Sequence, residues 1–168
     1  MEQRVSYQLR RARASGATGL GVEPVPVAPV LEDLCRGLDK VYRDKRVSCE
    51  LDVADGAFFQ GDPGDLTEVL GNLLDNAYKY SAGRVEVTVT QRAGRLAITV
   101  ADDGRGIAPD EVERLIERGA RADESVPGQG IGLAVGREIV ALYGGTLRID
   151  RSEWGGAAVH VELARATA

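Results

Sequence analysis

Two asparagines stand four residues apart in the middle of an apolar stretch of helical spacing, GNLLDNAYKYS at 71–81: Asn72 and Asn76. Asn is a poor helix former, because its side chain competes for neighbouring backbone hydrogen bonds, and a separation of four puts both amides on one side of a helix. Leu66, Val69, Leu70, Leu73, Ala77 and Tyr80 follow the helical repeat and are expected to form its core face. Glu68, Asn72, Asn76 and Lys79 make a second stripe beside it. A merely solvated stripe would draw on Glu, Lys and Arg rather than on mid-helix Asn. Amide oxygens are hard donors suited to Mg²⁺, and a lysine is a point charge for phosphate. The stripe therefore reads as a cation-and-phosphate site.

Two glycine-bearing segments could complete such a site. DDGRGI at 102–107 follows directly on a strand pattern. Asp102 would emerge at the strand end, able to accept a hydrogen bond from an exocyclic amine, and Gly104 and Gly106 would let the backbone turn sharply and approach a ligand. GQGIGLAVGREIV at 128–140 places Gly128, Gly130 and Gly132 at the start of an apolar helix. A helix opened this way offers backbone N–H groups and a positive dipole end to an anion. The spacing is neither that of a Walker-type phosphate loop nor that of a dinucleotide-binding strand–turn–helix unit.

The elements that must position these residues follow from the rest of the chain. Residues 1–14 have a basic helical pattern, and glycines then prolines over 16–29 read as a linker. A helix is predicted from Val30 to Lys45, starting after Pro29, and a second from Asp62-Pro63 to Tyr80. Strands are expected at 47–53, 85–91, 95–101, 146–150 and 157–163, with a short strand near Phe58. The 85–91 and 95–101 pair reads as an antiparallel hairpin. A short helix over 110–118 and a long one over 130–143 complete the pattern. The strands do not alternate singly with helices. The expected fold is thus an α+β two-layer sandwich: a mixed, mostly antiparallel sheet of about five strands with three main helices on one face.

Composition narrows the function classes. At 168 residues the expectation is one core, and a net charge of −5 without a clustered basic face argues against nucleic-acid binding. No run of apolar residues reaches bilayer-spanning length, and no signal peptide opens the chain. Cys35 falls on a helical apolar stripe and Cys49 on the inward face of a strand, so both read as small buried hydrophobes rather than a disulfide. Trp154 reads as a turn residue covering a core edge, and His160, alternating with Val159 and Val161, as a surface strand residue.

In order and spacing, NLLDNAYKYS, DDGRGI and GQGIGLAV together resemble the ATP-binding domain shared by histidine kinases, gyrase, Hsp90 and MutL (the Bergerat fold), over roughly residues 27–164. The likeness is to the histidine-kinase branch. The longer runs EVLGNLLDNAYKY and ERGARADESVPGQGIGLAVGREIV resemble its PhoQ type.

The resemblance implies ATP and Mg²⁺ as cofactors, with a role for each matching position. Asn76 would be the Mg²⁺ ligand, with Asn72 a second candidate. Asn72 occupies the position where hydrolysing relatives carry a glutamate base, and an amide cannot take a proton from water. Lys79 would lie by the phosphates and Tyr80 by the nucleotide. Asp102 would bind the adenine amine, with Gly104, Gly106 and Ile107 lining that pocket. Gly128, Gln129, Gly130, Ile131, Gly132 and Leu133 would form the phosphate turn. Residues 107–129 would be the lid over the nucleotide, with Arg121, and less so Arg118, as phosphate contacts. Asn72, Lys79 and Arg121 are the implied catalytic set. Ile116 stands where the family's lid usually has an aromatic residue.

By the same resemblance the phosphoacceptor would be a histidine on a dimerisation helix, and the only histidine here is His160. The expected organisation is 1–15 as the end of a dimerisation helix, 16–28 as linker and 29–165 as the catalytic ATP-binding domain. The implied protein is a cytoplasmic piece of a bacterial inner-membrane histidine kinase, itself monomeric from a homodimeric parent. Its partners would be the parent's histidine phosphotransfer domain and a response regulator, with no nucleic acid. The competing expectations are a nucleotide-binding module without transfer, which the intact Asn76, Asp102 and glycines oppose, and a gyrase- or MutL-like ATPase clamp, which Asn72 opposes.

Overall fold

A computed structural model describes residues 23–118 and 131–163, with Gln8 helical ahead of them. Strand β1 (Val25–Pro26) leads into helix α1 (Val27–Val41), then β2 (Ser48–Val53) and β3 (Phe58–Phe59) precede helix α2 (Pro63–Tyr80). The hairpin β4 (Arg84–Arg92) and β5 (Arg95–Asp102) is followed by α3 (Pro109–Arg118) and α4 (Ile131–Leu142), then by the hairpin β6 (Thr146–Arg151) and β7 (Ala157–Leu163).

Five strands form one sheet in the order β2-β4-β5-β7-β6, and β1 and β3 make a separate two-stranded ribbon. The sheet is antiparallel except for β2 against β4, which run parallel, Cys49 beside Val85 and Leu51 beside Val87. A parallel pair needs a long crossover, and here β3 and α2 supply it. In the five-stranded sheet, inward apolar residues recur at every second position, as in Val85, Val87 and Val89 of β4 and Leu96, Ile98 and Val100 of β5. They form one core with Val27 and Leu31 of α1, Leu66, Leu70 and Leu73 of α2, and Leu133 and Ile139 of α4. The fold is the expected two-layer sandwich.

Helix α1 begins at Val27, three residues before the expected start, with Pro29 inside its first turn. The first turn has no intrahelical acceptors for its N–H groups, so a proline there loses nothing. The Val27 N–H is satisfied instead by the Ala57 carbonyl at 3.1 Å. The α-helix stops at Val41 and a single 3₁₀ turn, Arg43–Lys45, carries the chain to where the expected helix ended.

Helix α2 has the predicted bounds. The Asp62 side chain caps it by accepting from the N–H groups of Gly64 (2.8 Å) and Asp65 (3.2 Å), with Pro63 at the first helical position. Its other end is held by Lys45, whose Nζ donates to the carbonyls of Tyr78 (2.8 Å) and Lys79 (2.5 Å). These are the orphan carbonyls of the last turn, and a cation there also meets the negative dipole end. Tyr143, just past α4, donates to the buried Asp65 carboxylate at 2.6 Å and accepts from the Asp62 N–H, joining α4 to the start of α2.

Two details depart from the periodicity. Tyr80 is only partly buried, whereas Leu74 and Tyr78 are fully buried, with the Tyr78 hydroxyl donating to Asp39 at 2.9 Å. The thiols of Cys35 and Cys49, placed by the sequence on separate apolar faces, meet at 3.3 Å as free cysteines.

Candidate functional site

The middle of α2 meets the first turn of α4. A Cβ built on Gly132 would stand 3.4 Å from both Cβ and Oδ1 of Asn72, so Gly132 allows α4 to begin against the asparagine stripe. Asn72 and Asn76 are both half-buried on this side of α2, Glu68 shares the stripe, and Lys79 is exposed one turn further on. The end of α2 meets the loop after β5. A Cβ on Gly104 would fall 2.1 Å from the Tyr80 carbonyl oxygen, closer than any side chain can approach. Helix α2 thus carries the second motif at its C-terminus and the third at its middle.

Asp102 closes strand β5 at 6% exposure. Its Oδ1 accepts from the N–H groups of Gly104 (2.9 Å) and Ala157 (3.3 Å). Burial pushes this carboxyl above its ordinary value, and the two N–H donors pull against that rise. Both bonds land on Oδ1, which leaves Oδ2 as the oxygen available to a ligand donor. Gly106, in the left-handed region at φ 77°, lets the loop pass close under Gly155: a Cβ there would be 3.0 Å from the Gly155 carbonyl. Ile107 follows, partly buried against the core.

Tyr80 presents its ring at the same end. The Lys79 ammonium lies 5.4 Å and the Arg105 guanidinium 5.9 Å from its centroid, so an aromatic face and two cations share this edge. Leu133 is buried beneath the start of α4. Gly128, Gln129, Gly130 and Arg121 lie outside the described residues. Ile131 opens α4, and Arg118 and Ile116 fall within α3.

Asp103, next to the adenine candidate, was not singled out by the sequence. Its Oδ1 accepts from three successive N–H groups, Ala82 (2.9 Å), Gly83 (3.1 Å) and Arg84 (2.9 Å), and so ties the second motif to the chain leaving α2. Burial would raise this carboxyl, but the three donors outweigh it and hold it below its ordinary value. A depressed carboxyl contributes stability that is present above the unfolded value, near 3.8, and lost as pH falls through the folded one. Asp103→Asn keeps the acceptor oxygen without the charge. In urea unfolding it should be less stable than the parent at pH 7, and the gap should close as the pH is lowered below about 4. A gap that stays constant with pH would reject the charge as the cause.

The two remaining candidates are structural. His160 lies on the sheet face away from the helices, its Nδ1 at 3.0 Å from Thr99 Oγ1 and its Nε2 at 3.4 Å from Asp150 Oδ2. Trp154 sits in the β6–β7 turn with the Arg84 guanidinium 4.1 Å above its ring.

The family model described as histidine kinase-, DNA gyrase B-, and HSP90-like ATPase matches residues 61–167. The two-component sensor PhoQ of Pseudomonas aeruginosa is 45% identical over 164 residues, which is 98% of this chain and 36% of that protein. The chain therefore spans about a third of that relative's length. Among solved structures, the mycobacterial sensor histidine kinase MprB superposes with a TM-score of 0.70 at 33% identity, over 84% of this chain and 95% of that one. Full-length ShkA in complex with AMPPNP gives 0.73 at 30% identity, over 98% and 35%.

Proposed function

Since the chain belongs to the histidine kinase-, DNA gyrase B- and HSP90-like ATPase family, we propose that it binds Mg·ATP and serves as the catalytic domain of a two-component sensor histidine kinase. In this reading 1–15 would be the end of a dimerisation helix, and the linker, expected over 16–28, would end before Val25, since β1 pairs with β3 and Val27 is in the core of the catalytic domain that continues to 165. The observation that carries it is the convergence on α2: Gly132 against Asn72 and Gly104 against Tyr80 bring three separate motifs to one helix. The match to ShkA, solved with an adenine nucleotide, supports the ligand class.

The donor set on α2 fits a hard cation beside a polyphosphate: two half-buried amides, with an exposed ammonium near them. Asn76 would hold Mg²⁺, with Asn72 the second candidate, and the ion would neutralise phosphate charge. Lys79, together with Arg121 of the lid, would face the phosphates. Gly128, Gln129 and Gly130, with Ile131 and Gly132 at the start of α4, would offer their N–H groups to them. Asp102 Oδ2 would accept from the adenine amine, with Tyr80 and Ile107 beside the base. Phosphoryl transfer asks for positioning and charge neutralisation more than for covalent chemistry by the protein. Asn72 cannot serve as a base toward water, so the γ-phosphoryl group is held for a better acceptor.

That acceptor would be a histidine on the dimerisation domain of a homodimeric parent, and a response regulator would receive the group next. The parent would be an inner-membrane sensor with this part in the cytoplasm; among the described residues no helix is long and apolar enough to cross a membrane. His160, engaged with Thr99 and Asp150 across the sheet, is a poor acceptor. Incubated with γ-labelled Mg·ATP, the chain alone should take up no label, turn ATP over very slowly and remain monomeric. A separately supplied dimerisation domain carrying its histidine should become labelled. Label on this chain that survives His160→Ala would overturn the proposal. Nucleotide binding with no transfer would favour the non-transferring module.

A further inference from the structure

The β6–β7 turn belongs to none of the three motifs, yet it touches Asp102 at every level. The Ser152 hydroxyl, on a residue 8% exposed, donates to the Asp102 carbonyl oxygen at 2.6 Å and accepts from the Gly156 N–H at 3.0 Å. The next N–H, that of Ala157, donates to Asp102 Oδ1. Gly156 itself makes the approach possible: a Cβ there would fall 2.1 Å from the Asp102 carbonyl oxygen and 2.4 Å from Oδ1.

The turn does not need the hydroxyl to close. It is already closed by backbone bonds, Ser152 N–H to the Gly156 carbonyl at 2.8 Å and Gly155 N–H to the Ser152 carbonyl at 3.1 Å. What the hydroxyl adds is the link to the aspartate. We propose that Ser152 is a positioning residue for Asp102: through the Asp102 carbonyl and the Gly156 N–H it sets the approach of the Ala157 N–H to Oδ1, and so aims Oδ2 at the exocyclic amine of an adenine.

The inference rests on the adenine reading of Asp102 given above, and it makes the β6–β7 turn a determinant of base selectivity. An ionised carboxylate with one oxygen engaged rewards a donor on the base and repels a carbonyl. If the carboxylate can rotate, that preference weakens although the rest of the nucleotide still binds.

The test compares ATP with purine riboside triphosphate, which lacks the amine, by calorimetry on the parent chain, Ser152→Ala and Asp102→Asn. The parent should prefer ATP, and Asp102→Asn should abolish the preference. Ser152→Ala should lower ATP affinity by about tenfold, the size of one lost buried hydrogen bond, and leave the analogue within about twofold. Binding of the analogue also reports that the variant's site is folded. If Asp102→Asn keeps the preference, the adenine reading fails and the proposal falls with it. If Asp102→Asn loses it while Ser152→Ala keeps it, or weakens both nucleotides equally, the adenine reading stands and the positioning role is overturned.

Discussion

Gly104→Ala should cost roughly 3 kcal/mol of stability or more and abolish nucleotide binding. The new methyl would lie 2.1 Å from the Tyr80 carbonyl oxygen and 2.9 Å from its carbon. Both are backbone atoms, so no side chain can swing aside. Overpacking of a well-filled site costs about 1–3 kcal/mol when side chains yield, and more when the backbone must move. Either the last turn of α2 shifts, carrying Lys79 and Tyr80 with it, or the loop lifts and breaks the 2.9 Å bond from the Gly104 N–H to Asp102. Gly37→Ala is the control. Nothing lies within 4 Å of a Cβ at that position of α1, and an alanine in a helix interior should stabilise by about 0.5–1 kcal/mol. Urea unfolding and titration with an ATP analogue on both variants decide the matter. A Gly104→Ala chain with parental affinity would show that the loop and α2 do not form one rigid site.

The second large effect is expected at Asn76. Asn76→Ala removes the proposed Mg²⁺ ligand from a half-buried position without touching the core face of α2. Changes to groups that only orient a metal ligand cost 10–100-fold in metal affinity or activity, so loss of the ligand itself should weaken Mg·ATP binding on the order of 100-fold. Adenosine, which has neither phosphate nor metal, should bind as before. Calorimetry with ATP and with adenosine, each with and without Mg²⁺, separates the cases. Equal losses for adenosine and Mg·ATP would mean that the substitution displaced α2.

Much of this site was legible because its signals are local. Mid-helix asparagines, glycines opening a helix and an acidic strand end are visible as residue types at set spacings. Their meeting around α2 was implied by resemblance, and Gly104 and Gly132 give the physical reason for it. What was not legible depends on distant partners. Nothing in the local pattern of Asp103 shows that Ala82, Gly83 and Arg84 will bond it. Lys45 is an ordinary surface lysine until the fold lays it on the end of α2. Periodicity places Tyr80 in the core, but Ala77 and Tyr78 fill that place and Tyr80 is left only partly buried. Helix α1 starts before Pro29 rather than after it, because a first-turn proline gives up no helical bond.

The Asp102–Ala157 bond spans 55 residues, and this sets an order of events during synthesis. A ribosome delivers the asparagine helix and the Asp102 loop well before the strand that completes the aspartate's surroundings. β5 must wait for β7 to pair along its free edge, Leu96 against Leu163 and Val100 against Val159, and such distant pairing is slow because a large loop must close first. A nascent chain ending before Ser152 therefore carries all three recognisable motifs without the groups that aim Asp102. Under the adenine reading proposed for Asp102, base recognition would then wait for the last hairpin to dock, because Ala157 N–H belongs to it.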